Sequence, residues 1–122
     1  MLLAAFTMLW GSTFAEETVV TWNASTEVSQ GFFNVGDDLT LKWEEASGDQ
    51  APSYNSSKTA VSMKTNNKVT VAGADANVTI SEIVFSFDNS SYPGLSANVG
   101  STSSSYTDNA DKKMCSADLY TR

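Results

Sequence analysis

Val78-Thr79-Ile80-Ser81-Glu82-Ile83-Val84-Phe85-Ser86-Phe87 is the stretch that decides the fold. Its apolar side chains alternate between two faces, with Ile83, Phe85 and Phe87 on one and Val78, Ile80 and Val84 on the other. Apolar residues on both faces are typical of a central strand covered on both sides, which we expect over Ile83–Phe85. Glu82 is the exception, and we expect it near the sheet margin.

Shorter segments before this strand repeat the period of two and are separated by clusters of Gly, Asn, Asp and Ser. Two of them are predicted to pair as a hairpin around Thr65-Asn66-Asn67, because Asn tolerates the positive φ of a tight turn. No stretch sustains a helical period, so the sequence predicts an all-β fold, an antiparallel β-sandwich. The predicted segments are Thr18–Asn23, Phe32–Val35, Leu39–Trp43, Ala60–Lys64 and Lys68–Ala72.

The strand signal fades after Asp88. Residues 89–116 are expected to form loops or very short strands, and Ala117–Tyr120 resembles the start of another strand before the sequence stops. A sandwich normally returns a late strand to the sheet that holds the first one. We therefore expect the edges of Thr18–Asn23 and Val78–Phe87 to lack a neighbour, and the domain to be truncated at its C-terminus, as a fragment of a longer reading frame.

The first fifteen residues predict a secretory signal peptide. Met1–Ala15 combines a short apolar run with small residues at Thr13 and Ala15, followed by an abrupt change to Glu16-Glu17. The run is too short to span a membrane, and its charged n-region is missing, so we expect the true start upstream. The remaining Glu16–Arg122 forms a single domain, secreted or at the cell surface, with no membrane insertion of the mature chain.

Composition narrows the classes of function. The net charge of −7 argues against binding to nucleic acid or an anionic membrane. No histidine is present, which excludes Ser-His and Cys-His nucleophile pairs and most zinc sites. Cys115 is the single cysteine and cannot close an internal disulfide; we expect a small, buried or half-buried side chain.

An ordered set of motifs resembles a known class of module. The set comprises Thr21-Trp22-Asn23, Ala51-Pro52-Ser53-Tyr54-Asn55, Thr59-Ala60-Val61-Ser62-Met63-Lys64, Asn67-Lys68-Val69-Thr70-Val71 and Ile80-Ser81-Glu82-Ile83-Val84-Phe85-Ser86-Phe87. It resembles secreted β-sandwich domains of surface proteins from gut Gram-negative bacteria, mostly of unknown function. The resemblance covers Thr18–Phe87 and continues weakly to Tyr120.

The resemblance implies a jelly-roll-like fold of the carbohydrate-binding-module type, carried with further domains on one polypeptide. Two features of that class are missing here. The Trp-Thr-Gly-type turn with two further strands is absent from the sequence, and Ser62 stands where the class often has Arg or Lys. A charged ligand contact is therefore not carried over to Ser62.

Loop aromatics are the candidate ligand-binding residues. Exposed rings stack on sugar faces, and neighbouring amides bind hydroxyl groups, so Tyr54 with Asn55, and Tyr92 in a Ser-Ser-Tyr-Pro-Gly loop, are predicted to contact a glycan. Trp22 and Trp43 alternate within strands, and we expect them in the core.

Carboxylates suggest a metal site more readily than catalysis. Asp88, Asp108 and Asp111 offer hard oxygen ligands in loops and, by analogy with jelly-roll modules, are the candidate ligands of a structural calcium ion. The adjacent pair Glu44-Glu45 points to opposite faces of a strand and is a poor acid–base pair. No enzymatic activity and no other cofactor are expected.

These inferences favour a non-catalytic extracellular binding module, with a glycan as its partner. The alternative is a structural spacer or adhesin-type Ig-like module with no small ligand. The two hypotheses differ at Tyr54 and Tyr92, whose replacement removes binding only under the first.

Overall fold

The computed structural model describes residues 17–45, 50–89, 95–97, 102–108 and 110–121. The predicted signal segment Met1–Ala15 and the candidate Tyr92 lie outside the described residues. Those residues contain ten strands and one short 3₁₀ helix, Thr26–Gln30. The strands are β1 (Thr18–Asn23), β2 (Phe32–Val35), β3 (Leu39–Glu44), β4 (Ser53–Asn55), β5 (Ala60–Met63), β6 (Lys68–Gly73), β7 (Ile80–Phe87), β8 (Leu95–Ala97), β9 (Ser103–Thr107) and β10 (Lys112–Thr121).

The strands form two antiparallel sheets. In the first sheet, β10 pairs with β7 on one side; on its other side, its N-terminal part pairs with β5 and its C-terminal part with β1. Strands β4 and β8 extend this sheet at its two ends. The second sheet has the order β2-β3-β6-β9. The prediction of an all-β antiparallel sandwich is confirmed.

The core lies between the inward faces of the two sheets. Leu41 and Val71 of the second sheet and Met63 and Leu119 of the first have no exposed surface. At one end of the core the Trp22 ring lies 5.5 Å from that of Trp43 and 5.7 Å from that of Phe33, measured between centroids. The predicted core positions of the two tryptophans are confirmed. Burial of such large side chains is the main source of stability in a domain of this size.

Strand β7 differs from the expectation that both of its faces are covered. Ile80 and Ile83 are both buried although they are three residues apart, which regular alternation does not allow. The pairing register with β10 shifts between Tyr120 and Thr121, so an extra residue bulges and returns Ile80 to the inner face. Val84 consequently stays half-exposed on the outer face. The apolar residues thus reflect a β-bulge instead of a doubly covered strand.

The predicted hairpin of β5 and β6 is wrong. The two strands belong to different sheets, because β5 pairs with β4 and β10 whereas β6 pairs with β3 and β9. The Lys64–Asn67 turn therefore connects the sheets, closed by Asn67 N–H donating to Lys64 O at 2.9 Å. Asn66 has φ +72°, as its side chain suggested. The inward residues of both strands are buried as expected, but they face each other across the core.

The C-terminal residues contain more structure than their sequence indicated. β9 forms within the Ser-rich segment, and β10 runs over ten residues, well beyond the expected Ala117–Tyr120. β10 lies between β1 and β7, so the inner edges of those two strands have the neighbour that they were expected to lack. β10 was missed because its outward positions are polar and a register shift at Cys115 interrupts its alternation.

Candidate functional site

The predicted ligand residues Tyr54 and Asn55 lie at the start of a tight turn between β4 and β5. The Tyr54 ring is partly buried and packs against the hydrophobic core. The Asn55 side chain holds the turn, because its Oδ1 accepts hydrogen bonds from Ser57 Oγ at 2.7 Å and from the Lys58 N–H at 3.1 Å. The Tyr54 ring is thus held by the core and the Asn55 carbonyl by its own turn, and their role in ligand binding stays a prediction.

The same turn ends in an unusual backbone conformation. Thr59 has φ +49°, in the left-handed region that β-branched residues rarely adopt. Its exposed side chain and those of Ser56 and Lys58 surround the turn. The turn is therefore a polar loop, held by the Asn55 side chain, beside a partly buried aromatic ring.

Of the three candidate metal ligands, Asp108 lies in the interior. Its carboxylate is fully buried, and Oδ1 lies 3.0 Å from Lys112 Nζ, which is itself largely buried. The loop is fixed by two backbone hydrogen bonds: Asp108 N–H donates to Asn67 O at 2.9 Å, and Asn66 N–H donates to Asp108 O at 2.8 Å. Within the described residues, Asp108 Oδ2 accepts no hydrogen bond. Asp108 is thus one partner of a buried ion pair.

The other two candidate ligands lie on the surface. Asp111 Oδ1 accepts hydrogen bonds from the Thr65 N–H at 2.9 Å and from Thr65 Oγ1 at 3.1 Å, and these bonds lower the pKa of the Asp111 carboxyl below its ordinary value of 3.8. Asp88 is exposed, and its backbone N–H donates to Lys113 O at 3.0 Å. No three acidic or cysteine side chains converge in the part of the chain that the structure describes. The structure therefore does not bring Asp88, Asp108 and Asp111 together, and the calcium site stays a prediction.

The buried ion pair belongs to a larger polar and aromatic cluster that sequence reasoning did not find. Lys112 Nζ donates to the Tyr106 hydroxyl at 3.4 Å and lies 6.0 Å from the centroid of the Phe87 ring. The hydrogen bond to Asp108 raises the pKa of Lys112. The pKa of Tyr106 is also raised; burial is the largest cause, and the negative charge of Asp108 is the next. Both shifts favour the protonated groups found in this cluster at neutral pH.

Cys115 is half-buried, as predicted, and lies at the register shift of β10. The pKa of its thiol is raised, mainly because the group is desolvated and to a lesser extent because the charge of Asp88 is nearby. A thiol with a raised pKa holds less thiolate at neutral pH and is a weaker nucleophile.

The exposed side chain of Phe32 is a further feature that was not predicted from the sequence. Its side chain is 58% exposed, and among the described residues Val19 is the other large hydrophobic side chain of comparable exposure. β2 alternates strictly: Phe33 and Val35 face the core, so Phe32 and Asn34 face outward. The period of two in Phe32-Phe33-Asn34-Val35 was the signal that could have found it.

The fold and these surfaces define an all-β sandwich with polar outer faces. No protein-family model matches the chain, and no curated protein or solved structure is significantly similar to it. No helix among the described residues is long and apolar enough to cross a membrane.

Proposed function

We propose that this chain is a non-catalytic extracellular module that binds glycans, within a larger secreted or cell-surface protein. The observation that carries the proposal is the β4–β5 turn, where the Tyr54 ring lies beside the polar turn held by Asn55. Core contacts fix the ring, so little side-chain entropy is lost when a ligand stacks on it. Sugar rings offer apolar C–H faces for such stacking, and their hydroxyl groups bind the polar groups around them.

The electrostatics support binding over hydrolysis. A glycosidase needs a general acid and a second carboxylate across a cleft. Glu44, the strand carboxylate considered for that role, lies between two ammonium groups, 3.7 Å from Lys42 Nζ and 3.3 Å from Lys68 Nζ. Asp108 is fully buried and paired with Lys112. Neither carboxylate is placed to act on an extended substrate.

Retention of the full chain on a panel of immobilised neutral and acidic polysaccharides tests the proposal. We expect at least one polysaccharide to retain the chain, and Tyr54→Ala to weaken binding to a neutral polysaccharide by about tenfold or more, as for an aromatic at the centre of an interface. Tyr54→Phe keeps the ring and loses only the hydroxyl, so its effect should be smaller.

Val19→Ala is the matched control, because it truncates an exposed apolar side chain on a different strand. Circular dichroism of each variant separates loss of binding from loss of folding. If no polysaccharide is retained, or if correctly folded Tyr54→Ala binds as well as the unaltered chain, the proposal is wrong. The first of these results would favour the structural spacer.

A further inference from the structure

The outer face of the β2-β3-β6-β9 sheet carries a regular array of polar side chains around one aromatic ring. The pairing registers place Phe32 opposite Lys42, Asn34 opposite Thr40, and Glu44 opposite Lys68. Directly opposed side chains on neighbouring strands have Cβ atoms about 5 Å apart, and residues two apart on one strand are separated by about 7 Å. The ring of Phe32 is therefore bordered by a cation on one side and an amide on the other.

Folding does not explain the exposure of Phe32. The neighbouring Phe33 fills the core position, and Phe32 lies on the solvent side of an edge strand. The Lys42 ammonium lies 3.7 Å from Glu44 Oε1, and Phe32 stays 58% exposed. Burying such a ring against a partner is favourable, because the apolar surface that leaves water is large.

The charge of this face differs in sign from that of the whole chain. The outward positions of the four strands carry Lys42, Lys68 and Glu44, so the face has one excess positive charge, whereas the chain has a net charge of −7. Both lysines are well exposed. An anionic ligand is therefore repelled less by this face than by the acidic remainder of the chain, and it finds two exposed ammonium groups here.

The chemistry of the face favours a glycan over other anionic partners. A single aromatic ring with amide and hydroxyl neighbours fits one sugar residue, whereas protein interfaces have a broader apolar core. Nucleic acid needs a larger basic patch than two lysines that share one glutamate.

We propose that the outer face of the β2-β3-β6-β9 sheet binds an acidic glycan, with a sugar ring stacked on Phe32 and uronate carboxylates paired with Lys42 and Lys68. This inference rests on the proposed glycan-binding function, but it places the acidic ligand on a different surface from Tyr54. Asn34 lies two residues from Phe32 on the same face and opposite Thr40, and its amide can bind a sugar hydroxyl. The Thr40 hydroxyl donates to Ala72 O at 3.4 Å, so it can accept a hydrogen bond from a sugar hydroxyl.

Isothermal titration of the full chain with polygalacturonate, at low and at physiological salt, tests this inference. We expect Phe32→Ala to weaken binding by about tenfold or more. Lys42→Gln should weaken binding several-fold, and the affinity of the unaltered chain should fall as salt screens the exposed charges. Val19→Ala and Lys64→Gln are the matched controls, because they change an exposed apolar side chain and an exposed lysine elsewhere.

The remaining outcomes separate this inference from the proposed function. If polygalacturonate binding is lost in Tyr54→Ala but kept in Phe32→Ala, the acidic-face inference is overturned and glycan binding stands. If a neutral polymer binds and polygalacturonate does not, the acidic-face inference is likewise overturned and glycan binding stands. Equal competition by a single-stranded DNA oligomer, or dimerisation that depends on Phe32, would also overturn the inference. If the unaltered chain binds no polysaccharide, both proposals fail.

Discussion

Replacing Lys112 by Met should destabilise the fold strongly, because it leaves the Asp108 carboxylate buried without its cation. The carboxylate has no exposed surface, Lys112 Nζ lies 3.0 Å from it, and Oδ2 accepts no hydrogen bond within the described residues. Removing one partner of a buried ion pair costs about 3–5 kcal/mol. Domains of this size are stable by about 5–15 kcal/mol, so the change removes a large share of the total.

Guanidinium chloride denaturation, followed by tryptophan fluorescence and circular dichroism, measures the loss of unfolding free energy. In a thermal melt we expect a Tm lower by roughly 10–25 °C than that of the unaltered chain. The double variant Lys112→Met/Asp108→Leu removes both charges, and it should recover most of the stability, because paired charges gain little over apolar residues of similar size. Lys64→Met is the control: it breaks the exposed contact to Asp111, 4.0 Å long, and should leave stability nearly unchanged.

Two results would refute this reasoning. One is a loss below about 1 kcal/mol in Lys112→Met, which would mean that water solvates the Asp108 carboxylate at little cost. The other is a double variant no more stable than the single variant, which would assign the loss to packing. Should Lys112→Met fail to fold, recovery of the fold by the double variant still decides between the ion pair and packing.

Three further predictions concern pH, a buried amide and the two neighbouring phenylalanines. Folding raises the pKa values of Tyr106 and Lys112 above their ordinary values of 10.0 and 10.5, so their protonated forms stabilise the fold at lower pH. The free energy of unfolding should therefore fall as pH rises above about 10. Denaturation curves from pH 8 to 11 measure this change, and a flat profile would contradict it. Asn67→Ala should lower the free energy of unfolding by about 1–3 kcal/mol, because the buried amide accepts from the Lys64 N–H at 2.7 Å and donates to Gln50 O at 2.9 Å. An unchanged denaturation midpoint would show that water replaces both hydrogen bonds. Phe33→Ala should lower the free energy of unfolding by about 3–5 kcal/mol because Phe33 is buried, whereas the exposed Phe32→Ala should change it by no more than about 0.5 kcal/mol. Thermal melts compare the two variants. Equal losses would contradict the proposal that the Phe32 ring serves binding and not folding.

Strict alternation was enough to predict the sandwich but not its connectivity. The period of two correctly assigned the buried faces of β3 and β6, including Trp43. It could not predict which sheet each strand joins, because buried residues of β5 and β6 look the same whether the strands are adjacent or face each other across the core. The Lys64–Asn67 turn was therefore mistaken for a hairpin.

Irregular backbone limited the rest of the prediction. A bulge opposite Tyr120 buries both Ile80 and Ile83, and this pattern resembles a strand covered on two faces. The bulge near Cys115 interrupted the alternation of β10 in the same way. Both irregularities depend on pairing between distant segments, which local sequence does not encode.

For the candidate site too, local features could be predicted from the sequence, whereas features that depend on contacts between distant segments could not. Tyr54 and Asn55 could be proposed from sequence because aromatic and amide residues in a turn are a local signal. The ion pair of Asp108 with Lys112 was missed, because the burial of Asp108 depends on the loop contacts around Asn67. Phe32 was not singled out because its exposure, and its place opposite Lys42, depend on the pairing of β2 with β3.

The central claim, that this sandwich binds glycans through defined surfaces, is tested most directly by nuclear magnetic resonance titration of the full chain with oligogalacturonate and with a neutral oligosaccharide. We expect saturable amide shifts on the outer positions of β2 and β3 for the acidic ligand, and around Tyr54 for the neutral one. Spectra that stay unchanged with both ligands, or that shift uniformly without saturation, would contradict it.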